Sequence, residues 1–354
     1  MNDQTTIKRN WRILIVLFLG LTIILTGCGA SSAEVFQDAW KQTYEVDHGR
    51  VKLDIQMEYQ WTDEFQQQLN LKRQEQPLLL QFEGFNLQYA YDWQVNRLAG
   101  KLQVNLGDLG LDASIYMNEQ EYYLISPLFP KIITFSNDDL KNLTSNQLSQ
   151  GIERKITEGN GIFLPETPKA LEQEWEKLWH REDVSRLGTE ILPHPAGDLK
   201  VRKFEVKLDD SILQQYFRNT INILAADTEY NAVLNTAMNS KDWMIEGKPL
   251  TAATIWEKYE ELLQMIHFDK VEYWAYINKD GYLMEEEFVV TIKPTEAGEA
   301  ELPFTAVQMR GTIQRWDFHR PIIIELPPLT PENHIEWGQT PTTLKHLSVK
   351  AMGD

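Results

Sequence analysis

Alternation of apolar and polar residues dominates the chain. Val51, Leu53, Ile55, Met57 and Tyr59 interleave with Lys52, Asp54, Gln56, Glu58 and Gln60, the period of two expected of an antiparallel strand with one wet face. The pattern returns in Phe85, Leu87, Tyr89, Tyr91 and Trp93, in Leu98, Leu102, Val104 and Leu106, and in Leu109, Leu111, Ala113, Ile115 and Met117. After a turn at 118–121 it ends in the short run 122–125. Consecutive strands joined by short turns predict a meander. Ahead of it, Val35, Phe36, Ala39, Trp40 and Tyr44 fall at helical spacing, and the Gln- and charge-rich stretch 62–76 reads as a loop or solvated extension.

The middle of the chain changes period. From Asp139 to Leu187 the apolar positions Leu140, Leu143, Leu148, Ile152 and Ile156, then Leu171, Trp175, Leu178 and Trp179, predict helices, the second opened by Thr167 as N-cap and Pro168 at the first helical position. A strand over 199–208 precedes a helix after Asp209-Asp210, with Ile212, Leu213, Tyr216, Phe217 and Leu224 as its stripe. A further helix covers 251–266, with Ile255, Trp256, Tyr259, Leu262, Leu263 and Ile266. The chain then returns to strands at 271–277, 282–292 and 305–316, the first two joined by Asn278-Lys279-Asp280-Gly281, where glycine supplies the positive φ of a hairpin turn. The pattern as a whole predicts an α+β fold with a large antiparallel sheet and inserted helices.

Charge and the N-terminus bear on location. The 354 residues carry 34 Lys plus Arg against 52 Asp plus Glu, a formal net charge of −18, and an acidic excess of this size argues against nucleic acid as a partner. Lys8, Arg9 and Arg12 precede an apolar stretch from Ile13 to Leu25, too short to cross a bilayer comfortably and readable as an export signal. Leu25-Thr26-Gly27-Cys28 closes it. That run resembles the lipobox of bacterial lipoproteins, which implies cleavage before Cys28 and a diacylglycerol thioether on its sulfur. Residues 1–27 are then a signal peptide, 28–34 the lipidated cysteine and its tether, and 35–354 the folded domain. Two acyl chains give a stable anchor at roughly 0.8 kcal/mol per buried CH₂, and the protein is expected at the extracytoplasmic face of the cell membrane. Removing Lys8, Arg9, Arg12 and Asp3 leaves a mature net charge of −20, which favours a body that stands off from anionic lipid.

Chemistry is sparse. Cys28 is the only cysteine, so no intramolecular disulfide or multi-cysteine zinc site is possible. The seven histidines lie at least 12 positions apart, and no HExxH, GxSxG, P-loop, GxGxxG or EF-hand pattern occurs. The expectation is a protein without catalysis, metal or cofactor. Phe85, Tyr89, Tyr91 and Trp93, with Val104, form an aromatic-rich set that can line a ligand cavity or serve as ordinary sheet core. Within Glu285-Glu286-Glu287, alternation puts Glu286 on the face of Met284, Phe288 and Val290; it can meet a ligand headgroup or act as an edge charge against aggregation. Trp175 and Trp179 are expected to dock a helix on the sheet or to close over a cavity, and Asp138-Asp139 and Asp209-Asp210 to cap helices rather than bind a cation.

Three stretches carry a resemblance to a known family. Residues 274–292, WAYINKDGYLMEEEFVVTI, are similar to the strand-turn-strand of LolA-like lipoproteins; 316–327, WDFHRPIIIELP, to their closing segment; and 115–127, IYMNEQEYYLISP, to their central hairpin. Within that group the chain resembles the LppX/LprG-type lipoproteins and related lipoproteins of Gram-positive bacteria. The resemblance implies a curved, half-open antiparallel barrel with helices over its concave face, able to hold acyl chains. It covers about a fifth of the chain, and the inserted helices near 139–187 and 227–266 either enlarge such a cavity or fill it. Two functions follow from this reading: a binding protein for a lipid-like or amphipathic ligand, or an envelope adaptor with a solid core that binds a protein partner. A continuous cavity separates them.

Overall fold

The computed structural model describes residues 31–71, 82–107, 109–119, 121–136, 166–178, 183–237, 244–245, 248–249 and 251–336. Cys28, Asp138-Asp139 and Trp179 lie outside the described residues, as does the whole of the helical stretch expected between 139 and 165. Helix α1 (Ser32–Tyr44) opens with a capping box, in which the Ser31 hydroxyl accepts from the Glu34 amide and the Glu34 carboxylate from the Ser31 amide. A meander follows: β1 (His48–Trp61), β2 (Phe82–Asp92), β3 (Arg97–Leu106), β4 (Leu109–Met117), β5 (Glu121–Ile125) and β6 (Ile132–Ser136). After α3 (Thr167–Lys177) come β7 (Val184–Leu192) and β8 (Leu199–Val206), then α4 (Asp210–Ala226), α5 (Thr228–Ala237) and α6 (Ala252–Met265), with the two-residue strands β9 (Met244–Ile245) and β10 (Lys248–Pro249) between the last two. Strands β11 (Ile266–Ile277), β12 (Leu283–Pro294), β13 (Phe304–Trp316) and β14 (His334–Glu336) complete the chain. The fold is α+β.

Among the described residues, twelve strands form one sheet in the order β14-β6-β5-β4-β3-β2-β1-β13-β12-β11-β8-β7. Every pairing in it is antiparallel except β14 with β6. Register builds a continuous face. Ala275, Glu286, Ile313, Leu53, Leu87, Leu102 and Ala113 stand directly opposite one another across seven strands. Tyr273, Phe288, Gly311, Ile55, Phe85, Val104 and Leu111 make the next row. Because opposed residues share a face, these rows set one almost wholly apolar surface against a polar one carrying Lys52, Gln88 and Lys101. Gly311 keeps the row flat, since a Cβ there would lie 2.1 Å from the Phe288 ring.

Helices α1, α4 and α6 and the end of α3 cover this face over β7, β8, β11 and β12, where Phe36, Phe204, Val206, Ala275, Ile277 and Leu283 are almost fully buried. Phe36 meets Tyr273 edge-on, ring centroids 6.2 Å apart. After β13 the chain turns at Asp317 and reaches Ile324, which is buried beside Ala90 and Ala99 on the polar face, before β14 joins the far edge.

Several expectations change. The stretch expected as a loop from residue 62 contains α2 (Asp63–Leu71), capped by the Thr62 hydroxyl accepting from the Phe65 amide at 3.3 Å; its apolar stripe is weak, but Gln, Glu and Leu are good helix formers. The helical reading up to 187 overran into β7, and Trp93 leaves the strand for a 3-10 turn capped by Asp92. Trp175 packs against the core that joins the helices to the sheet, with the Trp40 and Tyr216 rings centred 6.4 and 6.1 Å away. Glu285-Glu286-Glu287 lies on β12, an interior strand, so its charges do not protect an edge.

Candidate functional site

The helix-covered face contains a cavity of about 520 Å³ where α4, α5 and α6 meet the ends of β11 and β12. Phe217, Thr220, Ile221 and Leu224 enter from α4 at spacings of three and four; Tyr230 and Leu234 come from α5; Ile255, Trp256, Tyr259, Leu262 and Leu263 from α6. Ile266, Phe268 and Ile292 form the floor. Among the described residues no charged side chain lines it. Phe217 and Tyr259, 39% and 50% exposed, form its rim. Its size lies within the range of roughly 300–1,000 Å³ usual for small-molecule sites.

Polar side chains fasten the walls from behind. Asn231 ties three elements together: its carbonyl accepts from Trp256 Nε1 at 2.7 Å, and its amide donates to the Ala225 carbonyl at 2.7 Å and the Leu224 carbonyl at 3.3 Å. Asn235 accepts from the Ala252 amide at 2.7 Å, satisfying the start of α6. At its other end, the Gln214 amide donates to the Leu263 and Ile266 carbonyls at 3.1 and 2.8 Å. Asp209 caps α4 through the Ile212 amide at 2.9 Å, which holds its carboxyl below the ordinary range, and Asp210 accepts from the Phe268 amide at 2.7 Å. The walls are thus set by satisfied backbone ends, leaving apolar surface to face inward.

A second polar feature interrupts the apolar face. Arg315 on β13 and Glu286 on β12 are 5% and 2% exposed and form an ion pair; Tyr273 donates to the same carboxylate, and Arg315 Nη2 donates to the Tyr44 hydroxyl at 2.8 Å. The guanidinium also lies over the Tyr44 ring, 5.1 Å from its centre. Burial, and then the Glu286 charge, push the Tyr273 phenol well up. Burial alone would lower the Arg315 pKa, but Glu286 outweighs it and keeps the cation charged. This arrangement stitches α1 to the sheet; the hydroxyl of Thr43, accepting from the Leu283 amide at 2.8 Å, does the same.

The residues singled out from sequence share this face but do not line the helix cavity. Phe85 and Val104 stand opposite each other in one row, and Tyr89 lies two rows along β2, opposite Gly100. Tyr91 is buried, with Tyr89 at 5.9 Å and Trp93 at 5.4 Å; its phenol is pushed up to about 12 by burial. Trp93 is 45% exposed, and Glu286 is engaged by Arg315. The cavity residues on α4 and α6 were visible in sequence as helical stripes, yet a stripe of that spacing reads as packed core; only their failure to fill the space marks them. Among the described residues no group of three or more His, Cys, Asp and Glu side chains is placed to hold a metal, and no helix is long and apolar enough to cross a membrane.

No protein-family model and no curated protein matches the sequence. Solved structures do. The lipoprotein LppX of Mycobacterium tuberculosis aligns over 83% of this chain and 98% of its own, at 9% identity and a TM-score of 0.29. An uncharacterized conserved protein from Thermus thermophilus aligns over 86% and 97%, at 8% identity and a TM-score of 0.24. A LolA superfamily protein from Nitrosomonas europaea aligns over 84% and 96%, at 7% identity and a TM-score of 0.20. In structure this chain is similar to LppX and to LolA superfamily proteins.

Proposed function

We propose that the protein is a membrane-anchored, extracytoplasmic binding protein that holds a lipid-like or amphipathic ligand without catalysis. The observation that carries this reading is the cavity of about 520 Å³ whose described lining holds no charged residue. Water gains little from such a space, whereas a hydrocarbon entering it gains roughly 25 cal/mol per Å² of apolar surface buried. An apolar hollow of this size, open along its rim, supports a carrier over an adaptor with a solid core. Anchoring is assigned to a lipidated Cys28 after removal of residues 1–27, on the strength of the Leu-x-Gly-Cys run and the apolar stretch before it. Phe85, Tyr89, Tyr91, Trp93, Val104 and Glu286 remain candidate contacts for a ligand that extends beyond the cavity along the sheet.

Native mass spectrometry with lipid extraction tests the reading on protein purified without detergent. A stoichiometric amphiphile is expected, and Leu224→Trp combined with Ile255→Trp should lower its occupancy at least tenfold while circular dichroism stays unchanged. Protein that is ligand-free and takes up no lipid from a panel of phospholipids and fatty acids would sink the carrier function.

A further inference from the structure

The rim of the cavity continues into a stripe of aromatic rings on the helical layer. Phe217 touches Tyr216 at 5.4 Å, Tyr216 touches Trp175 at 6.1 Å, Trp175 touches Trp40 at 6.4 Å, and Trp40 touches Tyr44 at 4.4 Å. The stripe crosses α4, α3 and α1; its middle rings, Trp40, Trp175 and Tyr216, pack against the core, and its ends are open, Tyr44 being 55% exposed, Phe217 39% and Tyr259 across the rim 50%. From these contacts we infer that the aromatic stripe is a docking surface for the uncharged interfacial zone of a lipid bilayer, bringing the cavity rim against the membrane. The inference rests on the carrier reading for its purpose but is tested without it.

Three features select a bilayer as the occupant. The exposed rings of Tyr44, Phe217 and Tyr259 offer aromatic surface of the kind that settles at the boundary between headgroups and acyl chains. A hydrocarbon ligand released into water exposes its whole apolar surface to solvent, and a rim seated on lipid avoids that step. The stripe includes α1, whose cap Ser31 lies three residues after Cys28, a span of at most about 10 Å at full extension. Charge then sets the kind of lipid. Lys41, Lys177, Arg218 and Lys258 on these helices are each paired with a glutamate, Glu176, Glu174, Glu260 and Glu261, and the whole chain is acidic. Docking therefore uses apolar contact, favours zwitterionic over anionic lipid and changes little with salt.

The test uses the mature chain, 28–354, with Cys28→Ser, which removes the acyl anchor and every native thiol while keeping all described elements. It is expected to float with phosphatidylcholine vesicles and less with phosphatidylglycerol vesicles. A polarity-sensitive dye on Tyr259→Cys should shift to the blue on vesicle addition, and the same dye on Lys101→Cys, on the opposite face of the sheet, should not. Tyr44→Ser with Phe217→Ser should lower partitioning at least tenfold; if that variant loses its fold, the two dye positions decide alone. Absence of flotation, equal dye responses, or binding confined to phosphatidylglycerol and abolished by salt would overturn the inference, as would capture of an envelope protein by the stripe without vesicle binding. Docking with an empty cavity would sink the carrier reading alone, and a filled cavity without docking would sink this inference alone.

Discussion

Two adjacent glutamates on β12 show how one residue of register changes chemistry. Glu286 faces the helices and is neutralised by Arg315; Glu285 faces the other way, 4% exposed, with Gln314 donating to it at 2.7 Å. Burial lifts the Glu285 carboxyl from about 4.5 to about 7. A carboxyl whose pKa is higher folded than unfolded binds more protons in the native state between those values. Stability should therefore fall as pH rises from about 4.5 to 7, and its contribution is gone above that window. Glu285→Gln keeps a hydrogen-bonding side chain without the charge. It is expected to flatten this slope and to be more stable than the parent at pH 8, by on the order of 1–2 kcal/mol after allowing for solvent screening. Urea titrations at pH 5 and pH 8 check it; an unchanged slope would mean that Glu285 is not protonated in the fold. Alternation in the sequence placed Glu286 on the apolar face, but nothing in it revealed Arg315 as the partner, because that pair joins neighbouring strands 29 positions apart.

At the scale of elements, the cavity depends on how α5 and α6 are held. Asn231 is half-buried and carries the bond to Trp256 as well as two to the end of α4. Asn231→Ala leaves the indole N–H and two carbonyls without these partners, at a cost of about 1–3 kcal/mol. The expected outcome is faster amide exchange in α5 and α6 with little change in β1–β4, and weaker ligand retention. Uniform acceleration across the sheet would show that these helices are not a separately held layer. The Arg218–Glu260 pair between α4 and α6 is partly exposed at 3.5 Å, and by itself such a pair contributes roughly 0–1 kcal/mol. Helices α4 and α6 were legible from their stripes and caps. Helix α2 was not, because its propensity comes from Gln and Glu rather than from a stripe, and α5 was covered only by the broad expectation of inserted helices over 227–266, with no stripe of its own.

Across the whole molecule, the chain after β13 closes the fold. Asp317 pairs with Arg50 at 3.2 Å, Ile324 is buried on the polar face of the sheet, the Ile132 amide donates to the Asn333 carbonyl at 2.9 Å, and β14 pairs with β6. Ending the chain after Trp316 exposes that face and uncovers the β6 edge. The truncated protein should show faster amide exchange and proteolysis in β5 and β6, while the cavity beneath α4–α6, built on the other half of the sheet, still retains ligand. Loss of both halves together would make the sheet one cooperative unit.

The sequence by itself determined the long strands of the meander and of the C-terminal part, their faces and most helix positions, because side-chain period and cap residues act within a few positions of the chain; β6, β7 and β14 were not legible in it. It also carried the lipobox-like run at Cys28 and the resemblance to LolA-like lipoproteins. Which strands neighbour one another, and so which residues share a row, was decided by tertiary structure. The same holds for the cavity. Stripes on α4 and α6 read alone as packed core, and the hydrogen bonds that fix α4, α5 and α6 against one another link side chains to groups far along the chain, so no local pattern records the space left between them.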